Sequence, residues 1–478
     1  MRTEKDFIGE RQLPDDALYG IQSLRAHENF PHHSRFFEEW YQAMGVVKHA
    51  CYLTYLSFSR AVNERGMESR LPSPLIAPEI MEALIQAAIE VSRGEHFEHF
   101  IVPALSGGAG TSINMNINEI ITNRALLIMA HSIGDYNFLD PILHANVYQS
   151  TNDTVPTALK IAVLNLLEQL EEEINFLRAE TERLETASRN ILRIGRTQMQ
   201  DAVPSSYGIL FSTYSEALSR DWWRVSKCFE RIKTVNLGGS AIGTGLGVPR
   251  YFIIEAITHL QELTGLPLNR SENMPDATAN LDSLAEVHGI IKAHAINLEK
   301  IVSDIRLLSS DITNPNDISI PQKQIGSTIM PGKVNPVIPE FVISCAHQVY
   351  ANDEVITSLT ASGCLDLNAY LPIIGHCLLD SLKTLISADK TLKDNLLIDL
   401  QFHPEHTAQK LWKSPSITTA LSPYIGYYKA SQLANEMKNT HSDIFTANQR
   451  LHLIDPEKLQ DIMRTENLLK LGYSLNEL

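Results

Sequence analysis

The sequence predicts an all-α protein with a long central helix bundle, and three observations support that prediction. Apolar residues recur with a helical period over a long stretch that begins near residue 159. The same pattern returns in four further segments, and no convincing run of strand residues separates them. Five long helical segments without intervening strands are typical of a bundle.

The first long helix is predicted by a heptad seam. From Leu159 onward the apolar positions advance by alternating steps of three and four residues. They are Val163, Leu167, Leu170, Ile174, Leu177 and Leu184, with Thr181 in one slot. The opposite face is charged, as in "EQLEEE" (168–173). The seam predicts a helix of about thirty residues, which is about 45 Å long at the usual rise.

The other long helices are predicted at 206–233, at 281–308, after Pro336 and after Pro372. In 281–308 one stripe holds Leu284, Val287, Ile291, Leu298 and Ile305. Residues 1–140 mix short helical patterns with turns, and a smaller helical unit follows from about Phe402. We therefore predict a mostly helical N-terminal domain (1–145), a central long-helix bundle domain (146–400) and a small C-terminal helical domain (401–478).

Composition and charge exclude several classes of protein. The chain has 478 residues, of which 44% are hydrophobic, and its formal net charge is -16. Nucleic acids and anionic membranes bind basic surfaces, so neither is expected as the main partner. The five cysteines are scattered without a CxxC pair, which predicts reduced core cysteines. The N-terminal stretch lacks the apolar core of a signal peptide, and we expect a cytoplasmic location.

Five short polar blocks between the helices share one kind of chemistry. They lie at 106–119, 148–157, 195–204, 237–249 and 324–336. Their donors are neutral hydroxyls and amides joined by one lysine: Thr111, Ser112, Asn114, Ser150, Thr151, Asn152, Thr197, Gln198 and Lys333. Taken singly, each neutral residue is typical of a helix cap or a turn. As a set on several loops, they suit a small ligand with more than one carboxylate oxygen pair.

Three other motifs indicate weaker alternatives. A phosphate-binding Walker A loop needs four residues between its glycines, whereas five separate Gly326 from Gly332. The glycines of "GTGLG" (243–247) lack the strand-turn-helix setting of a dinucleotide site. His96 and His99 are spaced to meet on one helical face, as metal ligands do, but no third ligand is identifiable.

The block "GSTIMPGKVN" (326–335) resembles the signature of the aspartase/fumarase superfamily. The resemblance extends in order from "GERQLPDDALYGIQSLRAHENF" (9–30) to "SPYIGYY" (422–428). "KVNPVIPE" (333–340) and "GRTQMQDAVP" (195–204) are similar to the versions found in aspartate ammonia-lyases. Fumarases usually have histidine at the position of Gln198, so the resemblance favours elimination of an amine.

The resemblance implies an all-α chain of three domains whose bundles pool into the core of a homotetramer. It implies active sites assembled from loops of three subunits, a small dicarboxylate or amino-acid substrate, and no need for a metal or organic cofactor. Ser327 is then the general base on a flexible lid loop, and Lys333 with Asn335 binds a substrate carboxylate. The remaining substrate-binding residues are implied to be Thr111, Ser150, Thr151, Asn152, Thr197 and Gln198.

Three departures from the family pattern bear on this expectation. Thr328 replaces the usual second serine, and Gly247 stands where asparagine is common. After "RLLSS" the family usually continues with Gly-Pro-Arg, whereas this chain has "DITNPNDISIP" (311–321). The last change lies next to the lid, so it bears on lid closure and on the choice of substrate.

The leading functional hypothesis is anti β-elimination of ammonia from L-aspartate or a close analogue through an aci-carboxylate intermediate, which yields fumarate. The alternatives are a fumarate hydratase or another substituted-succinate lyase. A non-catalytic structural relative is a third hypothesis, against which the joint presence of Ser327, Lys333 and Asn335 argues.

Overall fold

The computed structural model describes residues 1–313 and 317–477, and helices dominate it. The helices are α1 (Ile21–Asn29), α2 (Glu38–Glu64), α3 (Pro78–Ser92), α4 (Thr111–Ile128), α5 (Thr151–Ala187), α6 (Tyr207–Ile232), α7 (Arg250–Thr264), α8 (Met274–Ala279), α9 (Asp282–Leu308), α10 (Val337–Thr360), α11 (Leu371–Leu392), α12 (Pro404–Lys413), α13 (Ser422–Ile425), α14 (Tyr427–Thr440), α15 (Ile444–Leu451), α16 (Pro456–Ile462) and α17 (Thr465–Leu469). The all-α prediction is confirmed, and α5, α6, α9, α10 and α11 are long helices at the five predicted places. Helix α2, of 27 residues, is a further long helix, so the expectation that residues 1–140 mix short helical patterns with turns is wrong for Glu38–Glu64.

The strands are short and, within the described residues, pair only two by two. They are β1 (Arg2–Lys5), β2 (Glu10–Leu13), β3 (Leu192–Thr197), β4 (Gln200–Ser206), β5 (Thr234–Val235), β6 (Asn269–Arg270), β7 (Ile318–Ser319) and β8 (Gln401–Phe402). Three pairs are antiparallel, β1 with β2, β3 with β4 and β7 with β8, whereas β5 and β6 are parallel.

The heptad seam of α5 is buried along its whole length. Every predicted seam residue from Leu159 to Leu184 is at most 2% exposed, and Thr181 is also buried. The Thr181 hydroxyl donates to the Arg178 carbonyl oxygen at 2.7 Å, so this polar group is satisfied within its own helix. Burying each leucine stabilises the fold by roughly 1.5–3 kcal/mol, which makes the seam the main reason that α5 is stable.

Two compact units divide the chain. Unit 1 comprises 1–171, 224–292 and 347–385, and unit 2 comprises 172–223, 293–346 and 386–478. Helices α5, α6, α9, α10 and α11 each contribute residues to both units, whereas α2 lies in unit 1. The sequential division into domains 1–145, 146–400 and 401–478 stays a prediction.

In unit 1 the antiparallel helices α2 and α3 pack closely at a glycine. A Cβ atom added to Gly45 of α2 would lie 2.4 Å from the Ser92 backbone nitrogen at the end of α3. Because that distance is shorter than any real contact of a Cβ atom, only glycine permits the two backbones to approach here.

In unit 2 the hairpin β3–β4 shares a hydrophobic core with the C-terminal helices. Leu192 and Ile194 of β3 pack with a cluster that includes Leu411 of α12, Leu433 of α14 and Ile444 of α15. The loop expected at 195–204 is wrong for most of the block, because β4 pairs with β3. The blocks 106–119 and 148–157 are likewise mostly helical, since α4 begins at Thr111 and α5 at Thr151. The alternation of buried and half-buried residues in β3 depends on this distant C-terminal core.

Burial bears on one apolar helix and on the cysteine prediction. The segment Leu371–Leu397 is apolar and long enough to cross a membrane by composition, although Asp380 and Lys383 interrupt its apolar run. However, 61% of its most apolar window is buried within the protein, as in a core helix. The cysteines are all free, and four are buried as predicted, whereas Cys364 is exposed.

Candidate active site

The residues predicted to act on substrate fall into two groups, one in each compact unit. Unit 1 holds Thr111, Ser150, Thr151 and Asn152, and unit 2 holds Thr197, Gln198, Ser327, Lys333 and Asn335. Within each group, the structure places the predicted residues on neighbouring segments.

In unit 1, the first turns of α4 and α5 lie side by side. Thr111 begins α4 and is exposed. The preceding Gly110 has a left-handed backbone (φ 91°), and a Cβ atom there would lie 3.1 Å from Val155. The Asn114 side chain donates to the Thr151 hydroxyl at 3.3 Å, which links the two helix starts. Backbone N–H groups at a helix N-terminus favour a bound anion, as a substrate carboxylate requires.

Ser150 and Asp153 organise the start of α5. The Asp153 carboxylate accepts from the Ser150 backbone N–H at 3.0 Å, and the Ser150 hydroxyl accepts from the Asn152 N–H at 3.2 Å. The other Asp153 oxygen accepts from the Ser240 N–H at 3.0 Å, which ties this turn to the glycine-rich block 237–249. Burial raises the pKa of Asp153 to about 7, although backbone hydrogen bonds oppose that shift.

A proline in α5 explains how Asn152 is held. Pro156 has no backbone N–H, so the carbonyl oxygen of Asn152, four residues earlier, lacks its helical partner. The Asn236 side chain donates to that carbonyl at 2.9 Å instead. The Asn152 side chain in turn donates to the Ala241 carbonyl at 2.7 Å. These two bonds fix Asn152 against the segment that contains the glycine-rich block.

Sequence reasoning missed a buried lysine beneath this group. Lys48 of α2 is fully buried, and its ammonium donates to Asn114 at 2.7 Å, Gln149 at 2.8 Å and Asn146 at 3.3 Å. Burial lowers the pKa of Lys48 to about 7. Since Asn114 also hydrogen-bonds Thr151, Lys48 helps to fix the predicted site residues through Asn114. The sequence signal for this residue was a single lysine in an apolar helix. Its hydrogen-bond partners could not be identified from the sequence, because they lie far away along the chain.

In unit 2, Thr197 and Gln198 lie at the exposed end of the β3–β4 hairpin. Thr197 pairs with Gln200, and Gln198 with Met199 forms the two-residue turn. Both turn residues have left-handed backbones, with φ angles of 52° and 62°. Glycine and asparagine normally occupy such positions, so the turn is strained and depends on its surroundings. It presents the Thr197 and Gln198 side chains to solvent.

Ser327, Lys333 and Asn335 lie on residues 320–336, here called the lid, which form no helix or strand. The Asn335 side chain donates to the Gly326 carbonyl at 2.5 Å. A Cβ atom on Gly326 would lie 2.1 Å from the Lys333 carbonyl oxygen, so only glycine permits this contact. The Ser327 hydroxyl accepts from the N–H groups of Met330 at 3.0 Å and Ile329 at 3.2 Å. Two such donors stabilise negative charge on the serine oxygen.

A cleft of about 910 Å³ lies beside the lid in unit 2. It is bounded by the C-terminal end of α9, by residues 332–336 of the lid and by Met199 of the hairpin turn. Lys333 and Asn335 line the cleft, whereas Ser327, Thr197 and Gln198 do not. The lid and the hairpin turn therefore border the same cleft, and Met199 is the residue of the turn that lines it.

The histidine pair considered as a metal site is not arranged as the spacing predicted. His96 has a left-handed backbone (φ 67°) and precedes a short 3-10 turn, so His96 and His99 do not share an α-helical face. The His96 ring bonds the Glu90 carboxylate at 2.8 Å, and Arg124 bonds that same carboxylate at 2.5 Å. The possible metal-ligand atoms of Glu90, Glu95 and His96 lie within 4.8 Å of one another. However, Arg124 already neutralises the charge of Glu90, which disfavours a bound cation.

Comparison with known proteins decides the family. A family profile described as "Lyase" matches residues 9–351, and one described as "Fumarase C C-terminus" matches residues 417–470. The chain belongs to the aspartase/fumarase family of lyases. It is 37% identical to the aspartate ammonia-lyase of Bacillus subtilis over 100% of this chain and 98% of that protein. It is 35% identical to the aspartate ammonia-lyase of Escherichia coli strain K12 over 99% and 97% of the two chains.

Solved structures of the aspartase/fumarase family match the whole fold. The crystal structure of a fumarate lyase:delta crystallin from Brucella melitensis, bound to cobalt, is similar with a TM-score of 0.89 and 33% identity, over 98% of both chains. A class II fumarase from Schistosoma mansoni is similar with a TM-score of 0.86 and 27% identity, over 97% of this chain and 98% of that one. The expectations of a family member and of an enzyme are confirmed.

The segment that departs most from the family pattern, 311–321, is only partly described. Residues 314–316 lie outside the described residues. Asp317 directly follows them and is buried, and Ile318 and Ser319 form β7. Asp317 was not among the predicted site residues.

Proposed function

We propose that this lyase eliminates ammonia from L-aspartate and releases fumarate. The observation that carries the proposal is its 35–37% identity, over essentially the whole chain, to aspartate ammonia-lyases of several bacteria. The geometry of the two residue groups supports it. One group offers helix N-termini and hydroxyls for a carboxylate, and the other offers a lysine, amide side chains and a serine whose oxygen faces two N–H donors.

The proposed mechanism starts with removal of a proton from the carbon beside one substrate carboxylate. The Ser327 oxygen takes this proton, and the bonding electron pair moves onto the carboxylate to give an aci-carboxylate. Lys333 and Asn335 stabilise the added negative charge by electrostatic attraction and hydrogen bonding. The electron pair then forms the carbon–carbon double bond, the carbon–nitrogen bond breaks, and ammonia leaves. Ser327 afterwards releases its proton to solvent.

Serine is a very weak acid, so it acts as a base only where its oxyanion is stabilised. The N–H groups of Ile329 and Met330, at 3.2 and 3.0 Å, provide part of that stabilisation. We propose that lid closure brings the substrate to this oxygen. Thr111, Ser150, Thr151 and Asn152 would bind the second carboxylate and the amino group, and Thr197 and Gln198 would complete the set of donors.

The assembly and location are further proposals. We propose a homotetramer in which three subunits contribute loops to each active site, and large apolar side chains exposed on the long helices support it. They include Phe176 of α5, Trp223 of α6, Ile296 of α9 and Phe341 of α10. In a single chain these side chains would remain in water, whereas a pooled bundle would cover them. A cytoplasmic location also stays a proposal.

Fumarate hydration is the second candidate, because the Schistosoma mansoni class II fumarase matches the whole fold. Gln198 disfavours it, since fumarases usually have histidine there. The test incubates purified protein separately with L-aspartate, malate and a panel of N-substituted aspartates, and follows the ultraviolet absorbance of fumarate. We expect turnover of aspartate and none of malate. Turnover of malate alone would reject the proposal, and turnover of only a substituted aspartate would reassign the substrate.

A further inference from the structure

A buried carboxylate precedes the short strand that leads into the lid, and the proposed mechanism assigns it no role. Asp317 is 5% exposed. One of its oxygens accepts from the Arg196 guanidinium at 2.9 Å, and the other accepts from the Lys410 ammonium at 2.6 Å. Burial opposes ionisation of Asp317, but the hydrogen bonds from Lys410 and Arg196 outweigh it and lower its pKa. The carboxylate is therefore charged at neutral pH.

The three partners belong to three different segments of unit 2. Arg196 lies in β3 and directly precedes Thr197. Lys410 lies in α12 of the C-terminal helices. Asp317 directly precedes β7, and the lid begins after that strand. A single carboxylate thus connects the hairpin that carries two predicted donors, the C-terminal core and the start of the lid.

Ile318 and Ser319, which follow Asp317, are the last residues before the lid that pair in a strand. Ile318 pairs with Phe402 and Ser319 with Gln401 in the β7–β8 ladder. The Ser319 hydroxyl also bonds the His403 ring at 2.7 Å. Beyond it, residues 320–336 form no helix or strand, although Lys323 bonds Asp399 at 3.0 Å. The placement of Asp317–Ser319 therefore sets where the lid starts.

The hairpin turn also depends on this contact. Gln198 and Met199 are held in a left-handed conformation that most side chains avoid, so the flanking residues must impose it. Arg196 lies two residues before Gln198, and its guanidinium is 3.7 Å from the Asp201 carboxylate on the other strand. Asp201 in turn accepts from the Ser414 hydroxyl at 2.9 Å. Asp317, which precedes the lid in sequence, binds the same Arg196 guanidinium.

We infer that Asp317 is a positioning residue for the elimination reaction. Through Arg196 it positions the Thr197–Gln198 turn, and through β7 it positions the lid that carries Ser327. This inference rests on the proposed function. Among the described contacts, Asp317 itself touches no residue predicted to contact substrate. Its effect is on placement, and an error of about 1 Å in the placement of reacting groups costs on the order of 100-fold in rate.

The test compares Asp317→Asn with Asp317→Glu and with the double variant Asp317→Asn/Lys410→Gln. Asp317→Asn keeps the shape of the side chain but removes the negative charge that lies between two half-buried cations, so both stability and rate should fall. We expect its kcat on L-aspartate to fall about 10- to 100-fold, with a smaller change in KM. Asp317→Glu keeps the charge but moves the carboxylate by one methylene, so its kcat should fall only several-fold. The double variant also removes one of the two cations, so Tm should recover while kcat stays low.

Lid placement has a readout that is independent of turnover. Trypsin cleaves after Lys323 and Lys333, both of which lie in the lid and are exposed. We expect faster cleavage at these two sites in Asp317→Asn than in the wild type, as measured by mass spectrometry. Wild-type kcat and cleavage rates in Asp317→Asn, or a kcat that returns with Tm in the double variant, would overturn the inference.

Two further outcomes are also decisive. If Asp317→Asn does not fold, Asp317→Glu carries the test, because moving the carboxylate by one methylene should lower kcat several-fold and speed lid cleavage. Wild-type values for both measurements would then reject the positioning role. Wild-type protein that is inactive on L-aspartate contradicts the proposed function. Active wild type with an unchanged Asp317→Asn variant contradicts this inference alone.

Discussion

Ser327 is the proposed base, and the backbone around it provides hydrogen-bond donors to its oxygen. Its hydroxyl lies in a turn where the N–H groups of Ile329 and Met330 point at the oxygen. These donors would persist if the hydroxyl lost its proton, and a charged oxygen would accept from them more strongly. Thr328, the next residue, also has a hydroxyl but is exposed and accepts no comparable pair of N–H groups among the described contacts.

At the residue scale, Ser327→Ala should remove the base and leave the fold intact. We expect kcat on L-aspartate to fall about 100- to 10,000-fold, which is the usual contribution of a general base. Thr328→Ala is the matched control on the same lid, and its kcat should stay within a few-fold of the wild type. Steady-state kinetics and thermal unfolding measure both effects. Retained activity in Ser327→Ala would reject the serine base.

At the scale of elements, three long helices meet within unit 2 at a buried histidine. His294 of α9 bonds Asp221 of α6 at 3.0 Å and Asp389 of α11 at 2.9 Å. Burial lowers the pKa of His294, but the negative charges of Asp389 and Asp221 outweigh it and raise the pKa to about 10. The imidazolium is therefore charged at neutral pH and holds the three helices together.

The pH dependence of stability tests this network. The folded pKa of His294 lies above its unfolded value of 6.5, so its stabilisation is complete below pH 6.5 and is lost as the pH rises through about 10. His294→Gln removes the positive charge between two buried carboxylates and should lower the free energy of unfolding by about 3–5 kcal/mol at pH 6.5. The difference from the wild type should shrink toward pH 10 in urea unfolding.

His288 is the matched control for this experiment. It is also buried and bonds Asp353 at 2.9 Å and Ser381 at 2.9 Å, but burial lowers its pKa below the ordinary value. Its neutral form is therefore favoured in the fold, and His288→Gln should change stability by the same amount from pH 6.5 to pH 10. A constant difference for His294→Gln would contradict the assignment of its raised pKa.

For the whole molecule, the two groups of predicted site residues lie in separate units of one chain. The proposed tetramer would combine Thr151 of one subunit with Ser327 of another. Four chains of 53.5 kDa give a mass of about 214 kDa, which light scattering measures directly. A mass of one or two chains would contradict the tetramer.

Mixing inactive variants tests whether subunits share active sites. Ser327→Ala and Thr151→Val should each be inactive alone, because each removes one group of the site. After unfolding and refolding together in equal amounts, random assembly should restore about a quarter of the wild-type activity, since some sites then combine two intact groups. No recovery in verified mixed tetramers would show that both groups of each site come from the same chain.

The sequence alone predicted five of the long helices, the buried seam of α5 and the blocks that carry the candidate site, but it missed the long helix α2. The reason is that helical periodicity is local: residues three and four apart share a face whatever they pack against. The lid block and the turns near Thr111 and Ser150 were also identified from short contiguous stretches. The family signature in "GSTIMPGKVN" then linked these blocks to one reaction.

Only the tertiary structure decided three other features. The hairpin at 192–206 was missed because its inward face packs on C-terminal helices more than 200 residues away along the chain. Lys48 and Asp317 were missed because their roles depend on partners that are distant in sequence. The Lys48 partners lie 66 to 101 residues away, and those of Asp317 lie 93 and 121 residues away. A charged side chain looks the same in sequence whether water or a buried partner surrounds it, and only folding determines which.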